Sequence, residues 1–250
     1  MIFATIWAVF LPKVQQSIYF HRMEEENLQL TSSKYKTAFS LMKRHFFESF
    51  SNNYVLKWSI WWALTTAGFI QVQVYMQPLW AVINKSDDNI YNGAVEAILT
   101  LLGFLGALFA GYLKTEWKQK GELVLSICSI ASGAIVLIGS QTDEIFVSYA
   151  CYVGFGALFH FMITIASAEI AKNIKEDSYG LVFGLNTLVA LVIQTFLTLC
   201  LVTGDLGVAL GPRDQYLAYG IYHIAVATLF IAIGLITWLK SKKDMKKTYT

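Results

Sequence analysis

Glu96 lies about one turn inside a long apolar stretch, and the apolar stretches of this chain contain no Lys or Arg to neutralise it. A carboxylate placed there costs a few kcal/mol on membrane-insertion scales, which makes it a functional candidate by default. An embedded acid without an embedded base suits a cationic ligand better than a polyanion. The competing reading is structural, because exposed N–H groups and the dipole stabilise a carboxylate in the first turn of a helix. Near the middle of another stretch, His160 can change protonation near neutral pH. Together with Glu96 it is a candidate for proton coupling, against the weightier reading of a buried histidine satisfied by a neighbouring helix. Asn186 and Gln194 stand two turns apart on one face, able to hydrogen-bond a substrate or to hold helices together. Gln73 and Gln77 are i, i+4, with Tyr75 and Trp80 on the same segment. The faces of those aromatics attract cations, and Trp80 also fits an interfacial anchor. Glu96, Gln194, Tyr75, Gln77 and Asn186 are therefore the candidate substrate-binding residues.

Six apolar stretches must position these groups: Trp58–Ile83, Asn92–Leu113, Leu123–Ser140, Ile145–Ala168, Leu181–Val202 and Tyr216–Leu239. A hydrocarbon core about 30 Å thick needs roughly 20 helical residues. Five stretches reach that length and the third falls slightly short. None shows the polar face of a soluble helix. Composition agrees, with 56% hydrophobic and 14% charged residues against about 25% charged in an ordinary soluble domain.

The cations alternate. Residues 13–57, 114–120, 172–175 and 240–247 hold 7, 3, 2 and 5 Lys and Arg, 17 of the 19 in the chain. The other breaks contain only Lys85 and Arg213. Positive loops inside, six times crossed, give this pattern. It puts residues 13–57 and the C-terminus in the cytoplasm and the breaks near 84–91, 141–144 and 203–215 outside. The expected organisation is a partial transmembrane helix at 1–12, a cytoplasmic linker at 13–57, a six-helix bundle at 58–239 and a basic tail at 240–250. Met1–Leu11 is too short to cross, and it reads as the end of a spanning helix in a longer transporter. Within the linker, Phe39, Met42, Phe46 and Phe50 recur at helical spacing beside Lys43, Arg44 and His45. That pattern fits a basic amphipathic helix at the membrane surface or a linker helix between bundles. Gly103, Ala107 and Gly111 form a small-residue seam for close helix packing. Cys128, Cys151 and Cys200 lie within apolar stretches without ligand spacing and read as packing residues.

The fold class expected is all-α: a polytopic membrane protein with a major facilitator half-bundle. A long cytoplasmic loop followed by six helices resembles the second bundle of that architecture, and Gly111 to Gly121 loosely resembles its basic loop motif. More specific motifs point to one family. Trp58-Ser-Ile-Trp-Trp-Ala-Leu-Thr-Thr-Ala-Gly-Phe69, with Gln71-Val72, Tyr75, Gln77, Leu79 and Trp80, resembles the first helix of the second bundle in reduced folate carriers and thiamine transporters. Ile90-Tyr-Asn-Gly-Ala-Val-Glu-Ala97 is similar to the start of the next helix, and Ile163-Thr-Ile-Ala166 to a later one. Leu181-Val-Phe-Gly-Leu-Asn-Thr187 with Gln194-Thr195 resembles the penultimate helix, and Leu11-Pro12 with Tyr19-Phe-His-Arg22 the exit from the sixth.

The resemblance implies a plasma-membrane carrier of a charged water-soluble vitamin, thiamine or folate, working by alternating access. Folate carriers of the family resemble one another in having Lys where this chain has Gln194 and Asp where it has Glu96, whereas thiamine transporters look like this chain at both. A further position, usually Arg or Lys in the family, is Gly156 here. Thiamine is favoured on these grounds. The alternative reading is a shortened, non-transporting membrane protein that binds or regulates a full-length relative. Expected partners are the vitamin, the lipid bilayer and either a first-bundle half or that relative. No nucleic acid, cofactor or metal is expected. No Walker loop, HExxH or GxSxG motif occurs, so covalent catalysis is not expected.

Overall fold

The computed structural model describes residues 34–84, 91–113, 115 and 117–248, and among them there is no strand. The expected partial helix at 1–12 lies outside the described residues. Among the described residues, seven α-helices follow one another: α1 Lys34–Phe50, α2 Asn53–Ile83, α3 Asn92–Tyr112, α4 Trp117–Gln141, α5 Ile145–Ala171, α6 Tyr179–Leu201 and α7 Pro212–Thr248. A short 3₁₀ turn, Glu176–Ser178, precedes α6. The expectation of an all-α polytopic membrane protein is met.

Among the described residues, five helical segments are long and apolar enough to cross a membrane: Asn92–Tyr112, Lys120–Gln141, Ile145–Ala171, Tyr179–Leu201 and Pro212–Ile236. The remaining long helix, α2, has 31 residues, but Thr65, Thr66, Gln71, Gln73 and Gln77 dilute its apolarity. Those polar groups are tolerable because α2 packs against α5, α6 and α7, which shields most of them from lipid. Trp58, Trp61, Ala67, Gln71 and Val72 are each at most 2% exposed. Asn52 caps the start of α2 by accepting the Tyr54 N–H at 3.0 Å, satisfying an amide that the helix itself leaves unpaired.

Helix α4 is longer than the short third stretch suggested, because it begins at Trp117. Its Glu122 enters the bundle paired with Lys57 of α2, which lets an ionisable pair extend the helix below the purely apolar run. Helix α7 likewise continues past residue 239 to Thr248.

The packing order sets the architecture. Helix α5 lies against α2, α3 and α4, and α4 lies against α5 and α7. Gly133 and Gly220 let α4 and α7 approach closely, since a Cβ on Gly133 would sit 2.8 Å from the Gly220 carbonyl oxygen. The small-residue seam of α3 is only partly as expected. A Cβ on Gly103 would meet His160 at 2.8 Å and one on Gly106 would meet the Ala157 oxygen at 2.9 Å, both on α5, whereas Gly111 faces open space. The packed seam is thus Gly103 with Gly106. Helices α3 and α6 sit at the margins, with most of their residues unburied. Their outer faces, including Leu101, Phe104 and Phe109 on α3 and Leu188, Val192 and Phe196 on α6, are uncovered.

Candidate functional site

Glu96 is placed by α3 against α5. The Tyr152 hydroxyl donates to Glu96 Oε1 at 2.7 Å, and one turn nearer the start of α3 the Tyr149 hydroxyl donates to Asn92 Oδ1 at 3.1 Å. Two ladders of one-turn spacing meet here, Asn92 and Glu96 on α3 with Tyr149 and Tyr152 on α5. Trp80 of α2 locks both phenols from behind. Its ring meets Tyr149 edge-on at 4.6 Å and Tyr152 at 5.3 Å, and its Nε1–H donates to Ser148 Oγ at 3.1 Å. Trp80 is 3% exposed, so it is a packing residue behind the site and not an interfacial anchor.

Beside this group lies a cavity of about 350 Å³, bordered by Gln77, Pro78, Trp80, Asn92, Ile145 and Tyr149 among others. That volume falls in the lower range of small-molecule sites. Pro78 has no N–H to give the Val74 carbonyl, so α2 carries a weakened turn where it borders the cavity. Gln77 is exposed there.

A second polar group occupies the α2–α6 interface. Gln194 Nε2 donates to Gln71 Oε1 at 3.0 Å and to Thr198 Oγ1 at 3.2 Å, while Thr198 Oγ1 donates to Gln71 Oε1 at 3.3 Å. Gln71 is fully buried, and its Nε2 has no hydrogen-bond partner. Asn186, on the same helix but two turns away, donates from Nδ2 to Ser59 Oγ at 3.3 Å and is 3% exposed. It holds α6 to α2.

The remaining candidates are dispersed. Tyr75 is half-buried against Tyr219, with ring centroids 6.4 Å apart. His160 Nδ1 lies 2.8 Å from the Gly156 oxygen, with its ring edge-on to Phe69 and Phe159. It stands about two helical turns from Tyr152, a member of the Glu96 group. The structure therefore brings Gln77 to the cavity, Glu96 to Tyr152 one turn beyond the cavity's Asn92, Gln194 to a neighbouring interface, and Asn186 to a helix-locking contact. Tyr152, Tyr149, Asn92 and Gln71 are site residues that sequence reasoning did not single out as binding groups. The i, i+3 tyrosines and the i, i+4 Asn92/Glu96 pair were visible as spacings, but not their partnership. His223 was also missed: it is 1% exposed, with Phe155 and Tyr222 edge-on to its ring and Gly68 against it.

Gly156, where the resemblance leads to an expected base, is closely packed. A Cβ there would lie 2.6 Å from Leu99 Cγ and Cδ1, so α3 occupies the space that a longer side chain would need. The site is left with a carboxylate, phenols and amides, a set that attracts cations and hydrogen-bonds heterocycles.

The sequence of this bundle matches a known family. The profile of the reduced folate carriers aligns with residues 1–218. The chain belongs to the reduced folate carrier family. Among its relatives in that family, thiamine transporter 1 of Mus musculus is 40% identical over 204 residues, covering 81% of this chain and 41% of that protein. Thiamine transporter 2 of Homo sapiens is 41% identical over 202 residues, covering 80% and 40% respectively. Folate transporter 1 of Caenorhabditis elegans is 34% identical over 262 residues, covering 98% and 58%. The chain thus spans roughly half the length of the curated relatives it matches.

Proposed function

We propose that this reduced folate carrier family member forms the second six-helix half of a secondary vitamin carrier in the plasma membrane, with thiamine as the favoured substrate. Residues 13–57 and the C-terminus face the cytoplasm in this reading, following the alternation of cations. The observation that carries it is Glu96, a carboxylate held by Tyr152 at 2.7 Å, one turn from Asn92, which borders a ligand-sized cavity with Tyr149 and Trp80. Thiamine carries a permanent cation on its thiazolium ring and a hydrogen-bonding pyrimidine. Glu96 supplies the counter-charge, and Gln77 and Asn92 supply amides at the cavity wall. Relatives named as thiamine transporters support this choice, as does the lack of space for a base at Gly156. His160 and Glu96 stay the candidates for proton coupling.

The uncovered faces of α3 and α6 support pairing with a first bundle, which alternating access requires. Transport then consists of one bundle rocking against the other around the site, without covalent chemistry. The test is uptake of labelled thiamine and labelled folate into cells expressing the chain alone and together with the first-bundle half of a thiamine transporter. Thiamine accumulation in the paired cells, abolished by Glu96→Gln, is expected. Folate accumulation without thiamine would overturn the substrate assignment.

A further inference from the structure

Helix α1 presents an aromatic and basic surface away from the bundle. Phe39 is 69% exposed and Phe47 56%, with Met42 and Phe46 at 38% each. Lys36, Lys43 and Arg44 are exposed beside them. At 100° per residue, Met42, Phe46, Phe39 and Phe47 span an arc of about 140°, with Lys43 and Lys36 interleaved between Phe39 and Phe47 and Arg44 beyond Phe47. The side carrying Leu41, His45 and Ser49 docks on the protein. Ser49 is buried, and Glu48 receives Lys175 from the loop between α5 and α6 in an ion pair. Among the described residues, the ion pairs near this end of the bundle use Glu48, Glu122 and Glu169, with Lys175, Lys57 and Lys172 as their cations. None uses the exposed cations of α1.

Position decides what meets this surface. Phe50, at the end of α1, packs against the bundle core, and α2 starts three residues later. The aromatic arc is thus tethered within one turn of a helix that enters the bilayer, on the end of the bundle where Lys57, Lys172 and Lys175 also lie. Exposed apolar rings interleaved with Lys36 and Lys43 and edged by Arg44 match an interface with anionic headgroups above, reached by the long basic side chains, and acyl chains below. We infer that α1 is a lipid-binding element whose Phe39, Met42, Phe46 and Phe47 insert beneath anionic headgroups held by Lys36, Lys43 and Arg44.

The experiment is amide hydrogen exchange on the full chain in nanodiscs of neutral phosphatidylcholine and in discs also containing phosphatidylserine. Exchange in 34–50 is expected to slow by about tenfold or more in the anionic discs, the scale set by several basic residues near a charged surface. The triple variant Lys36→Gln/Lys43→Gln/Arg44→Gln should lose that difference while α2–α7 exchange as before. Millimolar inorganic phosphate added to neutral discs should leave α1 unchanged. Equal protection of α1 in both discs means that protein or another copy covers it, or that nothing does, and overturns the inference. Protection by free phosphate alone, or protection surviving in the triple variant, also overturns it.

Discussion

The Tyr152 hydroxyl and the Glu96 carboxylate bridge α3 and α5 at 2.7 Å, and the same tyrosine is backed edge-on by Trp80. This arrangement fixes the direction of the carboxylate while leaving Glu96 only half-buried. If Glu96 is the counter-charge for a cationic vitamin, Glu96→Gln should lower thiamine uptake at least tenfold. Tyr152→Phe should raise KM by a smaller factor, because hydrogen bonds to charged groups contribute roughly 1.5–3 kcal/mol and only part of that orients the acid. Concentration-dependent uptake checks both. Normal transport by Glu96→Gln would remove the carboxylate from the binding site.

Lys57 and Glu122 form a separate ion pair between α2 and α4, with side chains only 17% and 22% exposed. Removing one partner strands the other charge at the edge of the bundle, beside Trp58 and Phe230. Glu122→Gln alone should destabilise by about 3–5 kcal/mol, whereas Lys57→Met combined with Glu122→Leu should lie near the wild type or above it. Thermal unfolding in detergent measures the difference. A single variant as stable as the wild type would show that water reaches the pair.

How much of this was legible in the sequence depended on the range of the interaction. Helix positions followed from local apolar runs, and Glu96 stood out because an embedded acid is costly wherever it faces. Its partner did not. Tyr149 and Tyr152 lie more than 50 residues from Asn92 and Glu96, and nothing in either segment encodes which helices meet. Gln71 and Gln194 were visible as polar interruptions, but their mutual bond across 123 residues requires the α2–α6 packing. Trp80 shows the opposite failure: its position near a helix end suggested an interface anchor, and burial by α5 overruled that. For α2, hydropathy alone understates its place in the bundle, because three neighbouring helices cover most of its polar groups.

The ion pair of Glu48 with Lys175 should make the docking of α1 dependent on pH. The Lys175 hydrogen bond, aided by the charges of Lys175, His45 and Arg44, holds the Glu48 carboxyl below its ordinary range. A carboxylate whose folded-state pKa is depressed stabilises the folded contact above its unfolded pKa, and that contribution disappears as pH falls through the lowered value. Hydrogen exchange in α1, corrected for intrinsic rates, should therefore be constant from neutral pH to the usual carboxylate range and rise below it. Glu48→Gln should flatten the profile. An unchanged profile in that variant would transfer the effect to another acid.

Gly156 and Leu99 define the closest approach of α3 to α5 near the site. A Cβ at 156 would come within 2.6 Å of two Leu99 carbons and 3.1 Å of a third, so Gly156→Ala forces Leu99 out of a position where it is 3% exposed. Overpacking of this kind costs typically 1–3 kcal/mol. Removing the obstacle should reverse it: Gly156→Ala with Leu99→Ala should be less destabilised than the sum of the two single variants. The coupling is measurable as non-additive melting temperatures, and the pair's separation predicts it to be large because the two residues share one space. Strict additivity would mean that α3 shifts bodily to accept the methyl group, and Gly156 would then no longer account for the missing base on α5.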